Sequence, residues 1–318
     1  MARKPSLKEV DFRDLGFGTR ISSSTSRLIN PDGTFNVRKT GGGIGAIHPF
    51  QILIAMPWWK FWLSILIAYV VINSAFALVY LAVGIQNLSH GPGPGAEWVD
   101  KFAHGFYFSV QTITTLGYGT ISPENHTTSL ISSFEAMLGL MAFSLGTGVL
   151  YGRFARPSAK IRFSQYALIA PYEKESGLMV RIVNRRSNQL IELSAQVFFV
   201  IYEKRGKKTQ QRFYRLPLER NQITLFPLNW TIVHPIDKAS PMHGKTKADL
   251  IAANAEFLVI IKGYDDTFAQ TVHARYSYKC EDLIWGAKFE PMYYTDEDGM
   301  TVVEIDKIDD WTEKPLEK

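Results

Sequence analysis

The stretch that decides this chain reads Thr115-Leu116-Gly117-Tyr118-Gly119. A dehydrated cation has to be held by backbone carbonyl oxygens that all point at one narrow axis. Successive carbonyls point the same way only when some residues take left-handed backbone angles, which glycine adopts at little cost. Glycine at 117 and 119 meets that need. Thr115 can add a hydroxyl oxygen at one end, and Tyr118 can turn outward to brace the loop. The expectation is a ladder of cation-coordinating carbonyls on Thr115, Leu116, Gly117 and Tyr118. One loop supplies oxygens from one side only, so coordination from all sides requires four copies and predicts a homotetramer.

Working outward, two apolar spans flank this loop. Phe61 to Val83 contains no charged residue and exceeds the roughly 20 residues needed to cross a bilayer core. The second span runs from Ser129 to Tyr151 and carries one acid, Glu135, a functional candidate because a carboxylate inside a membrane is costly. Between them, Trp98 to Thr114 reads as an amphipathic helix (Phe102, Phe106, Val110) that ends at the loop. In the second span Phe143, Thr147 and Tyr151 recur on one helix stripe. Facing an axis, the stripe would form apolar constrictions that close by dewetting; otherwise it packs against a neighbouring helix. Gly146 and Gly148 are candidate hinge positions beside it.

Basic residues set the expected orientation. Arg38, Lys39 and Lys60 precede the first span; Arg153, Arg156, Lys160 and Arg162 follow the second, and Gly84 to Val99 contains no lysine or arginine. The positive-inside bias then places both termini in the cytoplasm, with Trp58, Trp59 and Trp62 as an interfacial belt. The polar N-terminus shows no cleavable signal pattern, so the first span is expected to act as the insertion signal. His48 to Met56, closed by Pro57, reads as an interfacial helix. Lys60, Arg153, Arg156 and Lys160 fall at headgroup level, where each charge near an anionic surface is worth about 1 kcal/mol. They serve topology alone, or they also bind anionic phospholipid. The net charge of +5 is modest, and membrane lipid is a better partner for it than nucleic acid.

With a mean hydropathy of −0.05, the 318-residue chain is too polar for a polytopic transporter. The expected organisation is a cytoplasmic N-terminal segment (1–45), an interfacial helix (46–57), a transmembrane pore domain (58–155) and a cytoplasmic all-β sandwich of immunoglobulin-like type (156–318). Gly41 to Gly45 reads as a flexible linker; a phosphate-binding loop would need a preceding strand and a lysine. After Arg162 the pattern turns to period two, with strand-like stretches at Leu178–Val183, Ala195–Tyr202, Ile223–Ile232, Phe257–Lys262 and Thr271–Tyr278. Turn residues such as Gly206, Pro217, Pro235 and Gly263 punctuate them. Several short strands at this spacing indicate a sandwich, and Lys247–Asn254 is the clear helical insertion. The seven histidines show no paired metal spacing, and the single cysteine, Cys280, makes neither a disulfide nor a metal cluster. No enzyme and no cofactor is expected.

Two spans, a TxGYG loop and a β-sandwich together resemble the inward-rectifier potassium channel family, in its prokaryotic KirBac branch. The resemblance extends over nearly the whole chain. It includes Arg27-Leu28-Ile29-Asn30 through Asn36-Val37, the loop itself, and Arg153-Phe154-Ala155-Arg156-Pro157. It continues through Trp230-Thr231-Ile232-Val233-His234-Pro235-Ile236-Asp237 and Leu283 to Pro291.

That resemblance implies a homotetrameric potassium channel of a prokaryotic inner membrane, with K⁺ as the transported ion. The TxGYG loop is then the selectivity filter and the interfacial segment a slide helix. One gate would lie at the crossing of the second spans near Tyr151, and another, the G-loop, at Gly263–Val272 with Asp265, Asp266 and Ala269. The two acids there either concentrate cations or solvate a hairpin turn. Three positions depart from the family pattern. The second-span acid of strong rectifiers is Phe143, the acid before the G-loop glycine is Lys262, and the pore-helix acid that supports the filter in many animal members is Gln111. Glu135 is a substitute for that last acid. The rival reading is a membrane-anchored, ligand-sensing sandwich whose pore does not conduct.

Overall fold

The structure, a computed structural model, describes residues 11–12, 15–16, 27–38, 41, 48–155, 159–205 and 208–316. Lys39, most of the Gly41–Gly45 linker, Arg156, Pro157 and Gly206 lie outside the described residues. The chain divides into two compact units, Thr40–Arg156 and Met1–Lys39 with Pro157–Lys318.

The first unit is helical. α1 (Pro49–Ala55) is seven residues long and buries none of its own side chains. Pro57 then halts the chain, and α2 (Trp58–Val83) runs 26 residues to Gly84, whose amide bonds the Tyr80 and Leu81 carbonyls. Gly84 has a φ of +106°, which a side chain would resist. α3 (Trp98–Ile113) covers the expected amphipathic stretch. α4 (His126–Phe154) opens on a capping box in which Asn125 accepts from the Thr128 amide at 2.8 Å, satisfying a helix-end donor. α2 and α4 are both long and apolar enough to cross a membrane.

The three longer helices meet around Tyr80, Ile85, Leu88 and Phe108, each burial worth about 1.5–3 kcal/mol. Two glycines permit the approach. A Cβ at Gly105 would stand 3.3 Å from the Ala77 carbonyl, and one at Gly139 would overlap the Ile113 carbonyl. α3 is thereby seated against both spans with its C-terminus at the loop.

The second unit is a pair of packed sheets. One contains β1 (Asp11–Phe12), β6 (Lys208–Leu216), β5 (Leu190–Arg205), β9 (Glu256–Asp265) and β10 (Gln270–Lys279) in that order, with β7 (Gln222–Leu225) also on β5. The other runs β11 (Leu283–Trp285), β3 (Ala167–Tyr172), β4 (Glu175–Asn184) and β2 (Ile161–Phe163), with β8 (Asn229–Pro235) on β4. Among the described residues only the β11–β3 ladder is parallel. Short pairs β12 (Ala287–Phe289) with β15 (Trp311–Glu313) and β13 (Tyr293–Thr295) with β14 (Thr301–Val303) close the C-terminal part. Ile169, Val180, Phe199, Phe257, Val259 and Tyr278 are among the core side chains between the sheets.

Both sheets are also covered on their outer faces. Leu28 and Ile29 lie over Phe198, Val200 and Leu258, and Ala287 and Phe289 lie over Leu168, Ala170 and Met179. That explains why Val197–Tyr202 is a continuous apolar run: a strand buried on two sides does not alternate. The stretch Ile223–Ile232 is not the single strand expected. β7 and β8 share it, belong to different sheets, and are separated at Phe226-Pro227-Leu228; Pro227 cannot donate to a ladder, so the chain changes sheets there. α5 (Lys247–Ala252) is the expected helical insertion, capped by Thr246 and Asp249.

Candidate functional site

The loop after α3 alternates in handedness. Thr115, Gly117 and Gly119 have φ of +58°, +53° and +79°. Glycine takes such angles freely, whereas a left-handed threonine costs about 1–2 kcal/mol. Composition alone gave no sign of that strain at Thr115. The α3 terminus holds the loop: the Gln111 carbonyl accepts from the Leu116 amide at 2.9 Å and the Gly117 amide at 3.2 Å. Beyond the loop, the Ser122 amide donates to Ser89 Oγ at 2.8 Å, and the Glu124 amide donates to the Asn87 carbonyl at 2.9 Å. These bonds fix both ends of the Thr115–Gly119 segment. Tyr118 stands exposed on the single chain.

Behind the loop lies a buried polar cluster drawn from all three long helices. Asn73 (α2), Tyr80 (α2), Ser109 (α3) and Glu135 (α4) are all fully buried. The Tyr80 hydroxyl donates to Glu135 Oε2 at 2.7 Å, and Ser109 Oγ bonds Glu135 Oε1. Ser109 Oγ also lies 3.0 Å from Asn73 Oδ1, and Asn73 Nδ2 donates to the Tyr69 carbonyl at 2.7 Å. Glu135 thus meets the helix that carries the loop. Its partners Tyr80, Ser109 and Asn73 escaped the sequence reading, although a polar Asn73 inside an apolar span was a usable signal. The side-chain carbonyl of Gln111 is buried with no hydrogen-bond partner among the described residues; Gln111 meets the loop through its backbone carbonyl.

The α4 stripe is exposed on the single chain. Phe143 and Tyr151 are 76% and 74% exposed, and Thr147 is exposed with its hydroxyl bonded to the Phe143 carbonyl at 2.9 Å. No described residue lies within 4 Å of a Cβ built at Gly146 or Gly148.

Arg153, expected at headgroup level, is half-buried; its guanidinium donates to the carbonyls of Leu53, Ile54 (3.2 Å) and Met56 (2.8 Å). It also lies 4.4 Å from the Trp58 ring and 4.5 Å from the Phe61 ring. Lys60 is exposed, beside the Trp59 ring at 5.3 Å. Lys160 is exposed and belongs to the other unit, and Arg156 lies outside the described residues.

The Gly263–Val272 region is the β9–β10 hairpin, with Ala269 left-handed at its turn (φ +50°) and Gly263 packed under Leu193. Asp265 is fully buried. It accepts from Asn188 Nδ2 at 2.7 Å and from the amides of Thr267 and Phe268 at 3.1 and 3.3 Å. It is a turn cap, as aspartate commonly is. Asp266 and Lys262 are exposed.

Two spanning helices, a short helix ending in a left-handed loop, and a β-sandwich are the architecture of a two-span ion channel subunit. The comparisons with known proteins agree. Residues 161–316 match the family described as inward rectifier potassium channel C-terminal domain, and residues 65–155 match that described as ion channel. The chain is 34% identical over 295 residues to the inward rectifier potassium channel Kirbac3.1 of Paramagnetospirillum magnetotacticum, covering 92% of this chain and 97% of that one. It is 27% identical over 299 residues to the human ATP-sensitive inward rectifier potassium channel 14, covering 86% and 67%. Against the ATP-sensitive inward rectifier potassium channel 12 of Bos taurus it is 26% identical over 260 residues, covering 74% and 59%. The chain belongs to the inward rectifier potassium channel family, a family of membrane ion channels and not of enzymes.

Proposed function

We propose that this chain forms a homotetrameric channel that conducts K⁺ passively in a prokaryotic inner membrane. Ions exchange water for the carbonyls of Thr115, Leu116, Gly117 and Tyr118 and advance by mutual repulsion. The observation that carries this is the alternation of left-handed residues at 115, 117 and 119, which is what turning successive carbonyls toward one axis demands. Glu135 and the Gln111 carbonyl support the filter from behind. Phe143, Thr147 and Tyr151 form the gate of the pore-lining helix, with Gly146 and Gly148 free to bend. The exposed hairpin tip around Asp266 and Ala269 is assigned to a second constriction. Phe143 and Lys262 remove cation-attracting charge, so rectification by internal Mg²⁺ or polyamines is weak.

Both termini are assigned to the cytoplasm, and Lys60, Arg156 and Lys160 to anionic headgroups. The division of labour follows the boundaries 1–45, 46–57, 58–155 and 156–318. Cation flux into liposomes containing the purified protein tests the central reading. The expected result is K⁺ uptake far above Na⁺ uptake. Equal permeation of both ions overturns it, and a monomeric protein that passes neither would favour a membrane-anchored sensor.

A further inference from the structure

α1 has seven residues, too few to persist as an isolated helix in water, and it buries no side chain of its own. Its last carbonyls have no partner within the helix, as at any helix C-terminus. The structure supplies those partners from the far end of α4. Arg153 donates to Leu53, Ile54 and Met56, nearly one hundred residues away in sequence, while its planar face lies over Trp58 and Phe61. A cation at a helix C-terminus is favoured by the peptide dipoles as well as by the hydrogen bonds.

The neighbouring residues are shaped for the same contact. Gly152 lets α1 close on α4: a Cβ there would stand 3.1 Å from Ile54 Cδ1 and 3.5 Å from the Phe50 ring. Phe154 meets Trp58 with ring centroids 5.1 Å apart. Gly152, Arg153 and Phe154 therefore grip both α1 and the first turn of α2. The gripping residues directly follow Tyr151 on the helix stripe that carries Phe143 and Thr147.

We propose that Arg153, seated by Gly152, is a positioning residue that clasps the interfacial helix α1 to the pore-lining helix α4. The end of α4 that bears Tyr151 then moves with α1. The guanidinium does this as a planar fork spanning three carbonyls and stacked on aromatic rings, which a lysine ammonium reproduces only in part. Its work is done by contacts inside one chain and needs no lipid phosphate. The consequence for ion flow rests on the gating reading above; the clasp itself does not.

The test is built so that the two fail separately. In full-length protein carrying Cys280→Ser and Ile54→Cys, the rate of labelling by a water-soluble thiol reagent reports separation of α1 from α4. Vesicles of pure phosphatidylcholine are compared with vesicles that also contain phosphatidylglycerol. Arg153→Gln is expected to raise labelling several-fold in both lipids, with Arg153→Lys intermediate. Gly152→Val, which keeps the charge, is expected to raise it as well. Unchanged labelling in Arg153→Gln overturns the clasp. So does a rise confined to vesicles with phosphatidylglycerol, which would make Arg153 a headgroup ligand. K⁺ flux is followed in the same samples: a rise in labelling with unaltered flux leaves the clasp standing and removes its role in gating.

Discussion

The hydroxyl of Tyr80 and the carboxylate of Glu135 meet at 2.7 Å, one from each spanning helix, with Ser109 of the filter-bearing helix on the other carboxylate oxygen. A buried carboxylate stripped of a partner costs about 1–3 kcal/mol or more. Tyr80→Phe and Glu135→Ala should therefore lower the thermal stability of the detergent-solubilised protein and erode K⁺ over Na⁺ discrimination in liposome flux. Glu135→Gln should be much milder. An amide can donate to Ser109 and accept from Tyr80, leaving the Ser109 hydrogen for Asn73. Equal damage from glutamine and alanine would mean that the negative charge itself is required.

Gly139 and Gly148 sit on the same helix with opposite surroundings. A Cβ at 139 collides with the Ile113 carbonyl, whereas one at 148 meets no described residue within 4 Å. Gly139→Ala should push α3 away at its filter end, with loss of K⁺ selectivity and a stability loss of about 1–3 kcal/mol typical of overpacking. Gly148→Ala should fold normally and act only on opening. Size-exclusion profiles and K⁺/Na⁺ flux ratios of the two variants distinguish the outcomes.

At Gly117, where φ is +53°, alanine has room but must hold a left-handed conformation at about 1–2 kcal/mol. Gly117→Ala should leave expression and assembly intact while abolishing K⁺ flux. A conducting variant would show that the ladder tolerates another backbone path.

The two hairpin acids should separate cleanly. Asp266→Asn should lower single-channel K⁺ conductance at low salt and matter less at high salt, where screening shortens the reach of a charge. Asp265→Asn should instead lower the stability of the β unit, because Asp265 is spent on Asn188 and two turn amides. A salt-dependent conductance change from Asp265→Asn would contradict its assignment as a turn cap.

His234 gives the β unit an acid limit. Its ring bonds the Pro217 carbonyl at 2.5 Å and Ser240 Oγ at 2.8 Å, and burial holds its pKa below the usual histidine value. The unfolded chain then takes up a proton at a higher pH than the folded one. The stability is complete above the unfolded value of about 6.5 and is lost as pH falls toward the folded value. Chemical denaturation of the full-length protein between mildly alkaline and mildly acidic pH should show that fall. His234→Gln should flatten the slope; an unaltered slope would assign it to other groups.

Much of this architecture was legible because it follows from periodicity. The uncharged run from Phe61 to Val83, the amphipathic stretch from Trp98 and the alternation in Thr271–Tyr278 all fold as their spacing dictates. What stayed hidden depends on partners distant in sequence. Nothing near Arg153 reveals that three carbonyls at the end of α1 and just beyond it await it, and nothing near Asp265 reveals Asn188. The sheet change at Pro227 is a different case, because its one local sign is the proline itself, which cannot donate to a ladder. The left-handed Thr115 is a property of the loop as a whole.

One contact bears on how the chain is threaded. The amide of Leu28 donates to both carboxylate oxygens of Glu256 at 2.9 and 3.1 Å, Arg27 reaches Asp282 at 2.6 Å, and Ser277 donates to the Ile29 carbonyl at 2.7 Å. Residues 27–30 are thus a structural part of the sandwich, although the entire helical unit lies between them and it in sequence. Residues 27–30 and the strands that bear Glu256 and Ser277 therefore have to lie on one face of any bilayer, so the segment between them crosses it an even number of times. That parity is independent of any count of lysines and arginines. It also orders biogenesis: the early segment has to wait, undocked, until both spans are inserted and the strands bearing Glu256 and Ser277 have left the ribosome.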